Sequence, residues 1–265
     1  TLELEQAQGR NVETVYSPLD SVKIAQNNPQ QEVLFLAVGF ETTAPVIALS
    51  ILKAQNKNLS NYSILQGLKT MPAVMEKLVL EQQVDIDGFL CPGHVASIIG
   101  ADSFQFLTKK YDLPAVVAGF ETGDIIFALL QIIEMIVQQK AEVINAYSRV
   151  VSKKGNQKAL RTMKQIFRPS VSRWRGLGEI DDSGLELKPE YQAFAVENKI
   201  SIKDPADKIA VKSDCSCGEV LMGGKKPTAC KWFGTKCTPS HPLGPCMVSQ
   251  EGSCAAYLSS KTVKQ

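Results

Sequence analysis

The sequence predicts an α/β protein of two similar halves followed by a separate cysteine-dense tail, and three observations carry that reading. Apolar, β-favouring runs alternate with helix-period segments up to about position 139. GFETTAP at 39–45 is echoed by GFETGDI at 119–125, each after an apolar run (VLFLAV, PAVVA). Six of the seven cysteines fall between Cys215 and Cys254.

The elements follow in order. SPLD at 17–20 has the form of a capping box, with Ser17 as cap, Pro18 at the first helical position and Asp20 facing back, so a helix runs to about Asn27. The pattern then gives a strand at 33–38, a helix at 44–55, a strand near 61–65, a helix at 72–80, a strand near 87–90 and helical turns after Pro92. A strand at 114–118 and a long helix from about 124 to 139 complete the alternation. Such alternation implies one mostly parallel sheet or two smaller ones. NQKALRTMKQIF places Leu160, Met163 and Phe167 on one helical face. FRPSVSRWRGLGEIDDSGLELKPEY is rich in Gly, Pro and Ser, lacks a sustained period, and reads as an ordered crossing segment or linker. The expected division is 1–110, with the GFETTAP and CPGHV corners, 111–206, with the GFETGDI corner and linker, and 207–265, the cysteine module.

Composition narrows the function classes. The chain has 265 residues, is 44% hydrophobic and carries a formal net charge of +2, which makes no electrostatic case for nucleic acid or membrane. No apolar run approaches the roughly 18 residues of a membrane span. The start, TLELEQAQGR, is too polar for a signal peptide, so a cytoplasmic location is expected. Arg149 to Arg175 holds nine Lys or Arg and no acid. Aromatic residues are sparse there, and the segment reads as a solvated helix face rather than a nucleic-acid groove.

Both GFET copies are strand-to-helix corners, which in parallel sheets lie at the carboxyl ends of strands, where crevices form. Glu41, Thr42 and Thr43 sit where a helix begins, with Pro45 just inside; Glu121, Thr122 and Asp124 do the same in the second copy. Acids and hydroxyls suit the positive end of any helix, so plain capping accounts for either copy alone. The repetition of Gly, Phe, Glu and Thr together points to more than caps.

The tail cysteines are Cys215, Cys217, Cys230, Cys237, Cys246 and Cys254. A disulfide framework needs an oxidising compartment, and nothing in the sequence exports the chain. Structural zinc usually arrives as paired CxxC knuckles, and there is no CxxC. Wide, irregular thiolate spacing in a loop-rich segment suits an iron–sulfur cluster better, since a cubane offers four separate corners. Free thiols account for the two left over.

At this point a resemblance becomes specific. CSCGEVLMGGKKPTACKWFGTKCTPSHPLGPCMVSQEGSCAAY resembles the carboxyl-terminal module of the HypD family of [NiFe]-hydrogenase maturation proteins. That family spaces its four cluster cysteines by fourteen, six and sixteen residues, and Cys215, Cys230, Cys237 and Cys254 match gap for gap. The resemblance extends to VYSPLD at 15–20, GFETTAP, CPGHV at 91–95, VVAGFE at 116–121, WRGLG at 174–178 and GPCMVSQEG at 244–252, essentially the whole chain. It implies two similar Rossmann-like α/β domains and a [4Fe–4S] module, with Cys217 and Cys246 outside the ligand set. It further implies a scaffold with redox capacity rather than an independent enzyme. On it Fe(CN)2(CO) would be assembled with a small HypC-type partner and a HypE-type cyanide donor.

The resemblance also implies site residues. The PGHV histidine, His94 here, is among those associated with the family's iron site, and a neutral imidazole is a good iron ligand. Cys91 is near enough in sequence to contribute. Glu41 and Glu121 suit ligand orientation or proton relay better than iron binding, because carboxylates prefer harder ions; Thr42 and Asp124 are candidates for cofactor contacts. His94, Glu41 and Glu121 are expected to converge where the halves meet. The family's CGTHT motif lies outside this chain, so the chain is expected to assemble the cluster without by itself restoring maturation, and to expose sheet edge and apolar surface. Two other classes stay open: an iron–sulfur oxidoreductase acting on a small molecule in the cleft, and a zinc-stabilised module holding a phosphorylated ligand at helix N-termini. No GxGxxG or GxxxxGK[ST] loop supports the last.

Overall fold

The computed structural model describes residues 2–80, 86–174, 176–201 and 215–262. After a short α1 (Leu2–Ala7), α2 (Pro18–Asn27) begins as the sequence indicates. The Ser17 side chain accepts the Leu19 N–H at 3.2 Å and Pro18 occupies the first turn. Asp20 pairs with Lys23 at 2.7 Å instead of reaching back. β1 (Val33–Gly39), α3 (Ala44–Asn56) and β2 (Tyr62–Lys69) follow, and β1 and β2 run parallel, from Val33 beside Tyr62 to Gly39 beside Leu68. Their core joins Val22 and Ala25 of α2 to Ile47 and Ile51 of α3 and to Tyr62 and Ile64 of β2. The buried Tyr62 hydroxyl is satisfied by Ser21 and Ser50, at 3.2 and 3.1 Å, as a buried polar group requires.

A second sheet follows: α4 (Met71–Leu80), β3 (Phe89–Pro92), α5 (Gly93–Ile99), α6 (Gln105–Tyr111), β4 (Ala115–Ala118), α7 (Thr122–Val137) and β5 (Val143–Asn145). Its strands are parallel in the order β3-β4-β5. Burial on both faces explains the unbroken apolar run AVVA of the four-residue β4. One face meets Val95, Phe104 and Leu107; the other meets Ala128, Ile132 and Met135 of α7. The opposite side of α7 leaves Ile126, Phe127, Leu130, Ile133 and Val137 exposed, and β1 leaves Leu34 and Val38 exposed.

The segment after position 166 departs from expectation. α8 (Gln157–Ile166), capped by Asn156 through the N–H groups of Lys158 and Ala159, leads straight into β6 (Phe167–Trp174) and β7 (Gly178–Leu187). These form an antiparallel hairpin, and β7 pairs with β2 through Leu68–Leu185 and Lys69–Gly184. The first sheet is therefore mixed, in the order β1-β2-β7-β6, and the supposed linker is half of it. Pro169, a loop signal in the sequence, is tolerated because β6 is an edge strand, where one N–H needs no partner. Lys69 clamps the hairpin, donating to Ser172 Oγ and to the Arg173 carbonyl, both at 2.7 Å.

The same pairings run across the expected boundary at 110. It falls between β3 and β4, which are hydrogen-bonded neighbours, so the CPGHV corner belongs with the second sheet. The first sheet is completed only by residues 167–187. What the structure supports is a mixed α/β architecture with parallel strand pairs. In the tail, α9 (Cys217–Leu221) and α10 (Ser253–Thr262) frame short turns. Among the described residues, no helix is long and apolar enough to cross a membrane.

Candidate functional site

The two GFET corners share four residues and meet opposite fates. In the first, Glu41 is 2% exposed. Its Oε1 accepts the backbone N–H of Met71 at 2.9 Å, and its Oε2 has no hydrogen-bond partner. Glu41 thus serves the start of α4 rather than of its own helix α3. Nor do the hydroxyls cap α3 as expected: Thr43 is the N-cap residue but makes no side-chain cap bond and donates to the Phe40 carbonyl at 3.1 Å. Thr42 is exposed. Burial pushes the Glu41 carboxyl above its usual range, against the weaker pull of the Met71 N–H.

That shift fixes a sign. Folded Glu41 holds its proton more tightly than the unfolded chain, so the stability it contributes is full below the usual 4.5 and is lost as pH rises through the raised value. Glu41→Gln keeps an acceptor for Met71 and removes the titration. Urea unfolding at a series of pH values above 4.5 should show the wild type losing stability relative to the variant. A pH-independent difference between the two would contradict this.

In the second corner Glu121 is exposed and makes no side-chain cap bond; its carboxylate lies 3.6 Å from Arg149. Asp124 forms a two-pronged pair with Arg149, at 2.8 and 2.6 Å, which holds the Asp124 carboxyl below its usual range. Asp124 is thus committed to tying α7 to the segment after β5.

CPGHV lies beside this second corner, and Gly93 is why. A Cβ on Gly93 would stand 2.1 Å from the Ala118 carbonyl oxygen, so only glycine lets the β3–α5 turn rest on the end of β4. The contact brings the exposed ring of His94 onto Phe120, with centroids 4.3 Å apart and planes at 29°. Cys91 goes elsewhere. It is 1% exposed in the core with Val95 and Phe104, and burial pushes its thiol up to about 12. Its side chain thus packs in that core, away from the exposed His94 ring.

The expected convergence of three residues therefore divides in two. His94 stands at the Glu121 corner. Glu41 lines a cavity of about 610 Å³, and neither His94 nor Glu121 is among its lining residues. The cavity lies between α4, α8 and the β6–β7 hairpin, with Ala73, Leu160, Met163, Pro169 and Leu185 in its walls. Sequence reasoning missed it because one wall is the hairpin taken for a linker.

In the tail all six cysteines line one small cavity with Val220, Phe233 and Met247. Cys246 and Cys254 bring their sulfurs to 3.1 Å, and Cys237 Sγ accepts the Leu243 N–H at 3.3 Å. The thiols are unequal. A hydrogen bond from Cys217 draws Cys246 down to about 6, and the same bond pushes Cys217 up. Burial raises Cys254 to about 12 and raises Cys215. At Cys230 burial acts upward, but the backbone N–H groups of Ser216 and Trp232 outweigh it and lower the thiol.

The module is seated on the hairpin tip. A Cβ on Gly218 would meet the Gly176 carbonyl oxygen at 2.4 Å. Trp174, on the same hairpin, lies 6.0 Å from the Phe40 ring of the first corner.

Among the described residues no group of three or more His, Cys, Asp or Glu stands arranged to hold a single metal ion. The donor chemistry nonetheless fits a thiolate-bound cluster, because six soft ligands share one cavity whose lining holds no carboxylate or imidazole. The cavity, about 10 Å³, has to widen by side-chain rotation to take one.

The profile of the family described as HypD, hydrogenase formation hypA family, matches residues 1–261. The hydrogenase maturation factor HypD of Rhodobacter capsulatus is 42% identical over 255 residues, covering 95% of this chain and 67% of that protein. HypD1 of Bradyrhizobium diazoefficiens is 38% identical over 271 residues, covering 100% of this chain and 71% of its own length. HypD of Cupriavidus necator is 39% identical over 261 residues, covering 96% and 68%. The chain thus spans about two thirds of the length of these relatives. With a profile match running almost end to end and identity near 40% throughout, the chain belongs to the HypD family.

Proposed function

We propose that the chain acts in the maturation of [NiFe] hydrogenases, as part of a scaffold on which Fe(CN)2(CO) is assembled. The observation that carries this reading is the gathering of Cys215, Cys230, Cys237 and Cys254 at one cavity, in a chain whose relatives are named hydrogenase maturation factors. In this reading those four thiolates hold a [4Fe–4S] cluster, which supplies one-electron redox capacity. Cys217 and Cys246 fall outside the fourteen, six and sixteen spacing and stay outside the ligand set in this reading.

The cargo iron is met at the second corner. His94 offers an accessible ring nitrogen there, held in place by Phe120, and Glu121 stands on the same ledge to orient what arrives. An exposed ledge suits a group handed between proteins, and HypC- and HypE-type partners in the cytoplasm are the proposed donors and acceptors. Replacing His94 by Ala in the complete protein should abolish hydrogenase activity in cells while leaving the unfolding transition unchanged, because the ring is exposed. Full hydrogenase activity in that strain would overturn the proposed role of the ledge.

A further inference from the structure

The cavity at Glu41 is distinct from the ledge and from the cysteines, and its chemistry is lopsided. Glu41 is the buried ionisable group of its wall, and Oε2 has no donor. The neighbouring hydroxyls cannot supply one, since Thr70 donates to the Asp182 carbonyl at 2.9 Å and Ser103 to the Ile99 carbonyl at 2.7 Å. Glu76 is already occupied by Lys110 and Tyr111, both at 2.9 Å. Lys164 is an exposed residue of the lining. A buried carboxylate oxygen without a donor is costly and is normally explained by a missing partner. Apart from the exposed Asp182, the remaining wall is apolar, with Phe106, Met163 and Leu185, and the volume of about 610 Å³ is that of a small-molecule site.

We propose that this cavity binds an alkyl cation, an ammonium or guanidinium on a short aliphatic stem, with its N–H donors on Glu41 and its stem against Phe106, Met163 and Leu185. The donor-poor interior requires the ligand to bring the protons, and the apolar wall requires a stem. The cation is either a free small molecule or the end of a basic side chain. The assignment does not depend on the maturation reading.

Isothermal titration calorimetry on the whole chain tests it, with n-butylguanidinium, n-butylammonium, n-butanol and butyrate as probes. Both cations should bind at least about tenfold more tightly than n-butanol, and Glu41→Gln should weaken them by about tenfold or more. Ala73→Phe, which fills the cavity without touching the carboxyl, should also remove binding. It provides a second test should Glu41→Gln disturb folding. A capped peptide with one internal arginine separates the sources: binding at least as tight as n-butylguanidinium identifies a side chain, weaker binding a free ligand, and either keeps the proposal. No heat with the cations, equal affinity for n-butanol, tighter binding of butyrate, or indifference to both substitutions would overturn it.

Discussion

Serine substitution at Cys215, Cys230, Cys237 or Cys254 is expected to bring the iron and acid-labile sulfide of the anaerobically reconstituted chain from about four of each to near zero, since a cubane is held by four thiolates. The same change at Cys217 or Cys246 should leave most of both in place. All six sulfurs share one cavity, so proximity alone does not choose among them. The choice rests on the spacing of fourteen, six and sixteen residues, since Cys246 also bonds to Cys254 of the proposed set. Full metal content in any of the first four variants, or its loss in either of the last two, would refute the ligand set. Zinc in place of iron and sulfide would favour the binding-module reading.

The second large effect concerns the sheet that carries the His94 ledge. Phe104 is fully buried between α5 and α6, packed in one core with Val95, Ala96, Leu107 and Val117. Phe104→Ala should lower the stability of that core by about 3–5 kcal/mol, through lost transfer energy and the cavity left behind. Against the roughly 5–15 kcal/mol that holds a domain together, this is a large share. Urea unfolding should show the loss, while iron and sulfide content should persist because the cysteine module has its own core of Val220, Met247 and Ala255. A change below about 1 kcal/mol would mean that the site collapses around the deletion.

Much of the α/β order was legible because it rests on local signals. Ser17 and Pro18 start α2, the apolar runs at 33–39 and 115–118 form strands, and Leu160 and Met163 mark the inner side of α8. The hairpin was not, because Pro169 and the glycines around Trp174 look like loop composition, while β6 and β7 are held by pairing with each other and with the distant β2. Misreading it hid both the mixed first sheet and the Glu41 cavity. Local pattern also could not say that Glu41 and Glu121, identical in their motifs, stand one buried and one in solvent, since that depends on what packs above each corner. Nor could it show that Cys91 faces a core three residues before an exposed His94. The cysteine cluster was visible because thiol spacing is written directly in the chain.

The return of β7 to β2 also sets a timetable. A nascent chain presents Leu68 long before its partner Leu185, a wait on the order of ten seconds at roughly 10 residues per second. The strands of the second sheet, between 89 and 145, all emerge within that interval. They can close on the ribosome while β1 and β2 still lack their neighbour. The hairpin then finishes the first sheet, and its tip is in place when Gly218 and the cysteines behind it appear. Synthesis thus delivers the tail cysteines after the platform on which they rest.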